Sequence, residues 1–285
     1  VPNLAFSAIG TSWKIETARP LDGELEASIH ARIDAFDRTY SRFRTDSLVS
    51  QIASTRGRYE FPDDAVAMFN LYDELFASTD GAVTPLVGRS LEQLGYDRDY
   101  SLVRHGDNLP AADWLAEVTR TGSVITTATP VLIDIGAAGK GYLVDLVGEL
   151  LWEAEADEFV IDASGDLLIS GRQPRRIALE HPLDPSLAIG VVELQSGSIC
   201  ASGSNRRVWG EGTHHIVDGR TGAPTREVIA TWAIAETALT ADGLATALFF
   251  TEPSILARAF SFSYVRMLAS GQVEYSADLP GELFS

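Results

Sequence analysis

Phe159-Val160-Ile161-Asp162-Ala163-Ser164-Gly165-Asp166-Leu167-Leu168-Ile169 decides the fold class. Two short β-type runs, 159–161 and 167–169, flank a turn of small residues, a pattern more often structural than ligand-contacting. The same texture continues C-terminally at 176–179, 189–194, 198–201 and 228–235, with glycine, proline or polar turns between the runs. Ahead of residue 157 the apolar spacing is helical instead. Leu25, Ile29, Ile33 and Phe36 predict a helix over 21–40, and Val66, Phe69, Tyr72, Leu75 and Phe76 predict one over 64–77. Leu143, Leu146, Val147, Leu150 and Leu151 predict a third over 140–155. An apolar strand at 4–15 opens the chain, and helices over 241–250 and 253–260 precede a last strand near 264–268. Helices early and strands late, without strict alternation, point to an α+β fold with helices packed on a mixed or antiparallel sheet. No repeat, low-complexity stretch or long linker divides the chain, so one large domain over 1–285 is expected.

The 285 residues are 45% hydrophobic and 22% charged, an ordinary globular composition with enough apolar material for a sizeable core. Forty acidic against 22 basic side chains leave a formal charge of −18. That balance disfavours nucleic acid and anionic membrane faces, which call for a basic patch. An anionic ligand would need a cation or backbone N–H groups to hold it. A single cysteine, Cys200, excludes an internal disulfide and any multi-cysteine zinc site. No apolar run approaches the roughly 18 residues needed to cross a bilayer. Val1-Pro2-Asn3-Leu4 has neither a basic n-region, an apolar h-region nor an initiator Met, so the compartment is not legible from it.

Three segments have the residue types for chemistry. In Ile133-Asp134-Ile135-Gly136-Ala137-Ala138-Gly139-Lys140-Gly141-Tyr142 a short strand ends in an acid, glycines alternate with small residues, and a helix begins. Such a turn brings backbone close to a ligand, and the helix N-terminus favours phosphate. It is not a Walker loop, which needs Gly at Asp134 and Ser or Thr at Gly141, nor a dinucleotide fingerprint, whose spacing is G-x-G-x-x-G. The structural alternative is a tight strand-to-helix connection with Asp134 near an N-cap. In Thr240-Ala241-Asp242-Gly243-Leu244-Ala245-Thr246, Asp242 and Thr246 lie four apart and share a helix face. A carboxylate and a hydroxyl so placed suit Mg²⁺; alternatively Thr240 caps the helix and Asp242 is a first-turn acid. In His214-His215-Ile216-Val217-Asp218-Gly219-Arg220-Thr221-Gly222 the first four residues look extended, so only one histidine can face a site. That histidine is either a base for a hydroxyl or a satisfied, partly buried ring. Zinc spacing is absent. Thr39 to Ser47 supplies aromatics and arginines, either packing before a capped helix or an aromatic wall for a planar ring.

Taken in order, these segments resemble the ApbE family, the FAD:protein FMN transferases once named thiamine-biosynthesis lipoproteins. The matching landmarks begin with Gly10-Thr11-Ser12-Trp13, Tyr40-Ser41-Arg42-Phe43-Arg44-Thr45-Asp46-Ser47 and Thr79-Asp80-Gly81-Ala82. They continue through the Asp134–Tyr142 turn, Ser164-Gly165-Asp166, Ser202-Gly203-Ser204, His215–Gly222 and Ala241–Thr246. The resemblance implies an α+β unit related to the T-fold, with FAD in a groove and Mg²⁺ at its pyrophosphate. By matching positions, the Ala137 carbonyl, the Asp242 and Thr246 side chains and the Ala245 carbonyl would hold the metal. Ile9, Phe43, Ala82, Val83, Thr84, Asp134, Lys140 and Val217 would touch FAD, and His215 would be the base. The implied acceptor is a Thr or Ser in a Ser/Thr-Gly-Ala-Thr-like motif of another protein, typically a subunit of a membrane redox complex.

The sequence departs from the family pattern at four places. Val83-Thr84 stand where Phe or Met and then Asp are usual, and Leu94-Gly95-Tyr96 replaces Trp-Gly-Phe. Gly219 replaces a proline, which is expected to loosen its turn, and Ala245 stands where some members have a second acid. The expected activity is Mg²⁺-dependent transfer of FMN from FAD to an acceptor hydroxyl. An FAD pyrophosphatase using water, or a flavin-binding protein without catalysis, would use the same groove.

Overall fold

The first apolar segment is a hairpin rather than one strand: β1 (Asn3–Ala8) and β2 (Thr11–Thr17) pair antiparallel. Ile9 and Gly10, at φ 45° and 77°, reverse the chain between them, a break that the continuous apolar pattern hides. The protein is seen in a computed structural model that describes residues 3–210 and 212–284. Asp22 caps α1 (Gly23–Tyr40), accepting from Leu25 N; of the predicted stripe Ile29, Ile33 and Phe36 are buried and Leu25 is half-buried, and Tyr40 joins them. Ser47 caps α2 (Leu48–Ser54). β3 (Arg58–Glu60) follows, then α3 (Ala65–Ser78), α4 (Gly88–Gln93) and α5 (Trp114–Glu117). β4 (Val118–Thr121) and β5 (Val124–Thr127) join β3 in a small antiparallel sheet. α6 (Gly139–Glu153) ends the helical half.

The strands beyond are longer than the sequence runs suggest. β6 (Phe159–Asp162) leads into β7 (Asp166–Glu180), which joins the separate runs at 167–169 and 176–179. β8 (Ala188–Gly203) likewise joins 189–194 and 198–201. A register shift between Ser170 and Arg175 interrupts the β7–β8 ladder, and such irregularities bend a strand pair without ending it. Four two-residue strands follow: β9 (Val208–Trp209), β10 (Thr213–His214), β11 (Val217–Asp218) and β12 (Ala223–Pro224). Then come β13 (Val228–Ala235), α7 (Ala238–Ala247), α8 (Pro253–Leu256), β14 (Ser263–Leu268), β15 (Val273–Tyr275) and β16 (Gly281–Leu283).

The main sheet runs β1-β2-β6-β7-β8-β13-β14-β15, with β16 added to β8, and its ladders are antiparallel. Neighbouring residues face opposite sides, as the period of a strand requires. Leu168, Cys200 and Ala233 enter the large core with α1, α3, α6 and α7, whereas Ile169, Ile199 and Trp232 enter a second core with Leu179, Val192 and Val265. The fold is therefore α+β, as expected. Its consequence for function is that α6 and α7 lie side by side on the sheet, with their N-terminal turns in contact.

Candidate functional site

The site is built on the α6–α7 seam. Residues 130–135 form no strand, and Asp134 does not cap α6; the cap position is Ala138, without a side-chain bond. Asp134 instead accepts from Gly136 N (2.7 Å) through Oδ1 and from Arg42 Nε (2.5 Å) through Oδ2. α7 starts a turn earlier than predicted: Thr237, not Thr240, is its cap, and accepts from Thr240 N. Two further α7 N–H groups, of Ala238 and Leu239, donate to Asp145 of α6, both at 2.8 Å. Burial pushes the Asp145 carboxyl up to about 7, against the opposing pull of these backbone bonds.

With the helices so fixed, Asp242 Oδ2 accepts from Gly141 N at 2.9 Å, and Thr246 Oγ1 donates to the Ala137 carbonyl at 3.2 Å. The absence of a side chain at Gly141 is required, because a Cβ there would lie 2.1 Å from the Ala238 carbonyl oxygen and 2.7 Å from Asp242 Cβ. A carboxylate, a hydroxyl and a carbonyl thus lie along one helix seam, hard oxygens of the kind Mg²⁺ takes. Asp242 is buried, and burial, then the charge of Asp166, holds its carboxyl well above the usual range. Asp166 itself is 0% exposed and raised by burial, with Lys140 Nζ 2.7 Å from its Oδ2. Lys140 also donates to the Ala163 carbonyl at 3.1 Å. Two buried carboxyls share one ammonium, so the pocket is short of positive charge. Among the described residues no group of three or more His, Cys, Asp or Glu side chains is placed to hold a metal ion. A cation on this seam has to draw on the carbonyl and hydroxyl as well.

From Asp134 the site extends to an aromatic wall. Arg42 lies over the rings of Phe43 and Tyr96, at 4.2 and 4.9 Å from their centroids. Trp209 stacks on Tyr96 and donates to the Leu94 carbonyl at 2.8 Å. Val217 packs into the same cluster as Tyr96 and Trp209, with Phe43 against it. The extended stretch expected over 214–217 is broken: β10 ends at His214 and His215 lies in a bend, so the two rings differ in surroundings for reasons other than strand alternation. His214 is buried and engaged, with Nε2 2.7 Å from the Thr225 carbonyl and Nδ1 accepting from Ile216 N at 3.3 Å. His215 Nδ1 is buried with no hydrogen-bond partner among the described residues. Burial, then the charges of Arg207 and His214, lower its imidazole to about 4, while a bond to the Arg207 backbone and the Asp134 charge oppose this.

The remaining candidates take varied places. Ile9 sits at the β1–β2 turn. Ala82, Val83 and Thr84 are buried, and Thr84 Oγ1 accepts from Leu86 N at 3.2 Å. The Ala245 carbonyl accepts from the buried Thr231 hydroxyl at 2.6 Å, on the β13 side of α7. Gly219 does not loosen its turn. Its N–H donates to the Ala82 carbonyl at 2.9 Å, which a proline has no hydrogen to do, and a Cβ would lie 2.6 Å from Thr84 Cγ2. The glycine turn keeps much of its N–H capacity for itself: Gly136 serves Asp134, Ala138 and Gly139 serve Ile135, and Gly141 serves Asp242. Two surface hollows, of about 430 and 280 Å³, are lined by other residues, chiefly around Glu252 and Tyr264 and around Arg220 and Phe249. The sequence reading missed Asp145 and Asp166 as site supports, and Arg42, Tyr96 and Trp209 as a cluster. Helical spacing from Asp145 to the glycine turn was the available signal for the first; the cluster is assembled across more than a hundred residues and had none.

The ApbE family model matches residues 9–262. The FAD:protein FMN transferase of Klebsiella pneumoniae strain 342 is 26% identical over 272 residues, 86% of this chain and 77% of that protein. That of Escherichia coli K12 is 26% identical over 280 residues, 88% and 78%. Among solved structures, the ApbE protein of Thermotoga maritima superposes with a TM-score of 0.83 at 24% identity, over 96% of each chain. The apo flavinyl transferase ApbE of Pseudomonas stutzeri gives 0.82 at 22% identity, over 100% of this chain and 98% of that one. These structural likenesses show the fold.

Proposed function

The chain belongs to the ApbE family of flavin-transferring enzymes, and on that premise we propose that it moves FMN from FAD to a Ser or Thr hydroxyl of an acceptor protein, with Mg²⁺ and with release of AMP. The observation that carries the reading is the placement of Ala137 O, Asp242 and Thr246 along the α6–α7 seam, where Asp242 touches Gly141 N and Thr246 touches the Ala137 carbonyl. These oxygens fit a hard divalent cation, and Mg²⁺ held there would neutralise charge on the FAD pyrophosphate. A protein with a formal charge of −18 otherwise repels that ligand. Phe43, Val217 and Asp134 form the wall that receives the flavin end; Ile9, Lys140 and the Ala82–Thr84 stretch are further FAD contacts in this reading. The Ala245 carbonyl is a further metal ligand in the same reading, contributing the lone pair that Thr231 does not use.

In the transfer step the acceptor oxygen forms a bond to the FMN phosphorus as the phosphorus–oxygen bond to AMP breaks. His215 takes the hydroxyl proton, for which its unpartnered Nδ1 supplies a lone pair when the other ring nitrogen serves the Arg207 backbone. Its lowered pKa keeps the ring neutral at pH 7, the state a base needs. The acceptor is a protein segment with a Ser/Thr-Gly-Ala-Thr-like motif, as on a subunit of a membrane redox complex.

Incubation of the protein with FAD, Mg²⁺ and a peptide bearing that motif, followed by mass spectrometry, tests the reading. A covalent FMN–peptide adduct with equimolar AMP is expected. Free FMN and AMP without adduct would make it a pyrophosphatase, and bound FAD without AMP a binding protein. Asp242→Ala should abolish the Mg²⁺-dependent adduct; transfer at the wild-type rate would reject the metal assignment.

A further inference from the structure

Arg42 has a guanidinium with two nitrogens that find no hydrogen-bond partner among the described residues. Its side chain is 2% exposed; Nε is taken by Asp134, while Nη1 and Nη2 are buried without a hydrogen-bond partner among the described residues. Folded proteins leave few buried donors unpaired, and charged ones are the most unfavourable to leave so. The surroundings are aromatic. Phe43 and Tyr96 present their rings to the guanidinium, and Tyr100 covers Phe43, with its ring parallel within 11° and centroids 4.9 Å apart. Tyr100 is half exposed and stands at φ 50°, a left-handed conformation that non-glycine residues seldom adopt. Its segment lies outside helices and strands and is fastened by Leu102 N to Gly95 O, His105 N to Gln93 O and Ala111 N to Gly219 O.

We propose that Arg42 binds the carbonyl edge of the flavin ring, and that Tyr100 holds the ring's place on Phe43 until the flavin displaces it. The inference rests on the reading of Phe43 as a flavin contact. A planar ligand suits the site better than a phosphate does, because Asp134 already compensates the Arg42 charge and the walls are ring faces. The guanidinium fork donates in its own plane, which matches the in-plane acceptors of a flavin pyrimidine edge. Displacement is required because two rings 4.9 Å apart are already in contact and admit no third between them. Both Nη atoms are buried as well, so a covering group has to move before a ligand reaches them.

Riboflavin, which has the ring and no phosphate, and ADP, which has the diphosphate and no flavin, separate the two ends of the site by titration calorimetry with Mg²⁺ present. Arg42→Met is expected to weaken riboflavin and FAD at least tenfold and to leave ADP within twofold. Arg42→Lys keeps a cation for Asp134 but no fork, and is expected to lose riboflavin affinity to a similar extent while melting at the wild-type temperature. Tyr100→Ala is expected to tighten riboflavin severalfold, since nothing then has to be displaced. Wild-type riboflavin affinity in Arg42→Lys, or equal losses of ADP and riboflavin in Arg42→Met, would overturn the Arg42 contact. Weaker riboflavin binding by Tyr100→Ala would overturn the place-holding role. Should the wild-type protein bind ADP but not riboflavin, this inference fails alone; should it bind neither ADP, riboflavin nor FAD, the proposed function fails with it.

Discussion

His215 shows how burial sets the working range of a single residue. Its imidazole is lowered to about 4 from an ordinary 6.5, first by burial and then by the charges of Arg207 and His214. The folded protein therefore binds fewer protons at this ring than the unfolded chain does. Stability from the neutral ring is present above pH 6.5 and is lost as the pH falls towards 4. His215→Gln should flatten that acid decline in a denaturation series run from pH 7 to 4. It should also slow FMN transfer by about 10²–10⁴, the usual contribution of a positioned base, while leaving FAD affinity nearly unchanged. A wild-type transfer profile with an acid limb near 6.5, or a variant that loses FAD binding instead, would make the histidine structural. The extended stretch expected over 214–217 breaks at His215, which lies in a bend beyond β10, so strand alternation did not make the placement of the two rings legible. Nor was it legible which of the two faces the site, because that depends on Thr225 and Arg207.

At the scale of elements, the contact between α6 and α7 matters most, and Gly141 is its closest point. Gly141→Ala would place a methyl 2.1 Å from the Ala238 carbonyl oxygen, so the helices must part or the substitution must unfold them locally. Overpacking of this kind destabilises by about 1–3 kcal/mol. The expected result is a lower melting temperature together with a raised Mg²⁺ requirement for transfer; a variant with wild-type values of both would show the seam to be slack. The long helices α1, α3 and α6 were legible from spacing, because α1 and α3 each bury one stripe and α6, buried on most of its circumference, still carries apolar residues at three and four apart. The N-terminus of α7 was not: Thr240 looks like a cap as much as Thr237 does, and Asp145, more than ninety residues away, takes two of its free N–H groups. The division of the opening segment into β1 and β2 escaped for a related reason. Ile9 adopts positive φ, which sequence preferences do not anticipate for a β-branched residue.

For the whole molecule, the formal charge of −18 and the anionic dinucleotide make the field an opponent of binding. In the presence of a chelator, FAD affinity should rise with added salt as the repulsion is screened over a Debye length of about 10 Å at 0.1 M. Affinity that falls with salt would show that Arg42, Lys140 and Arg207 dominate the local field. The α+β class was legible because helical and strand textures occupy different halves of the chain, and the candidate residues were legible as separate segments. Their relative placement was not, since Phe43, Asp134, Val217 and Asp242 lie far apart in sequence and only the tertiary fold brings them to their contacts with Arg42, Tyr96 and Gly141. The most direct measurement is an anomalous-difference map from crystals soaked with Mn²⁺ and FAD. A peak within coordination distance of Ala137 O, Asp242 and Thr246 Oγ1, beside the dinucleotide phosphates, is the expected result. Density for bound FAD with no peak on the seam, or with the ion elsewhere, would contradict it.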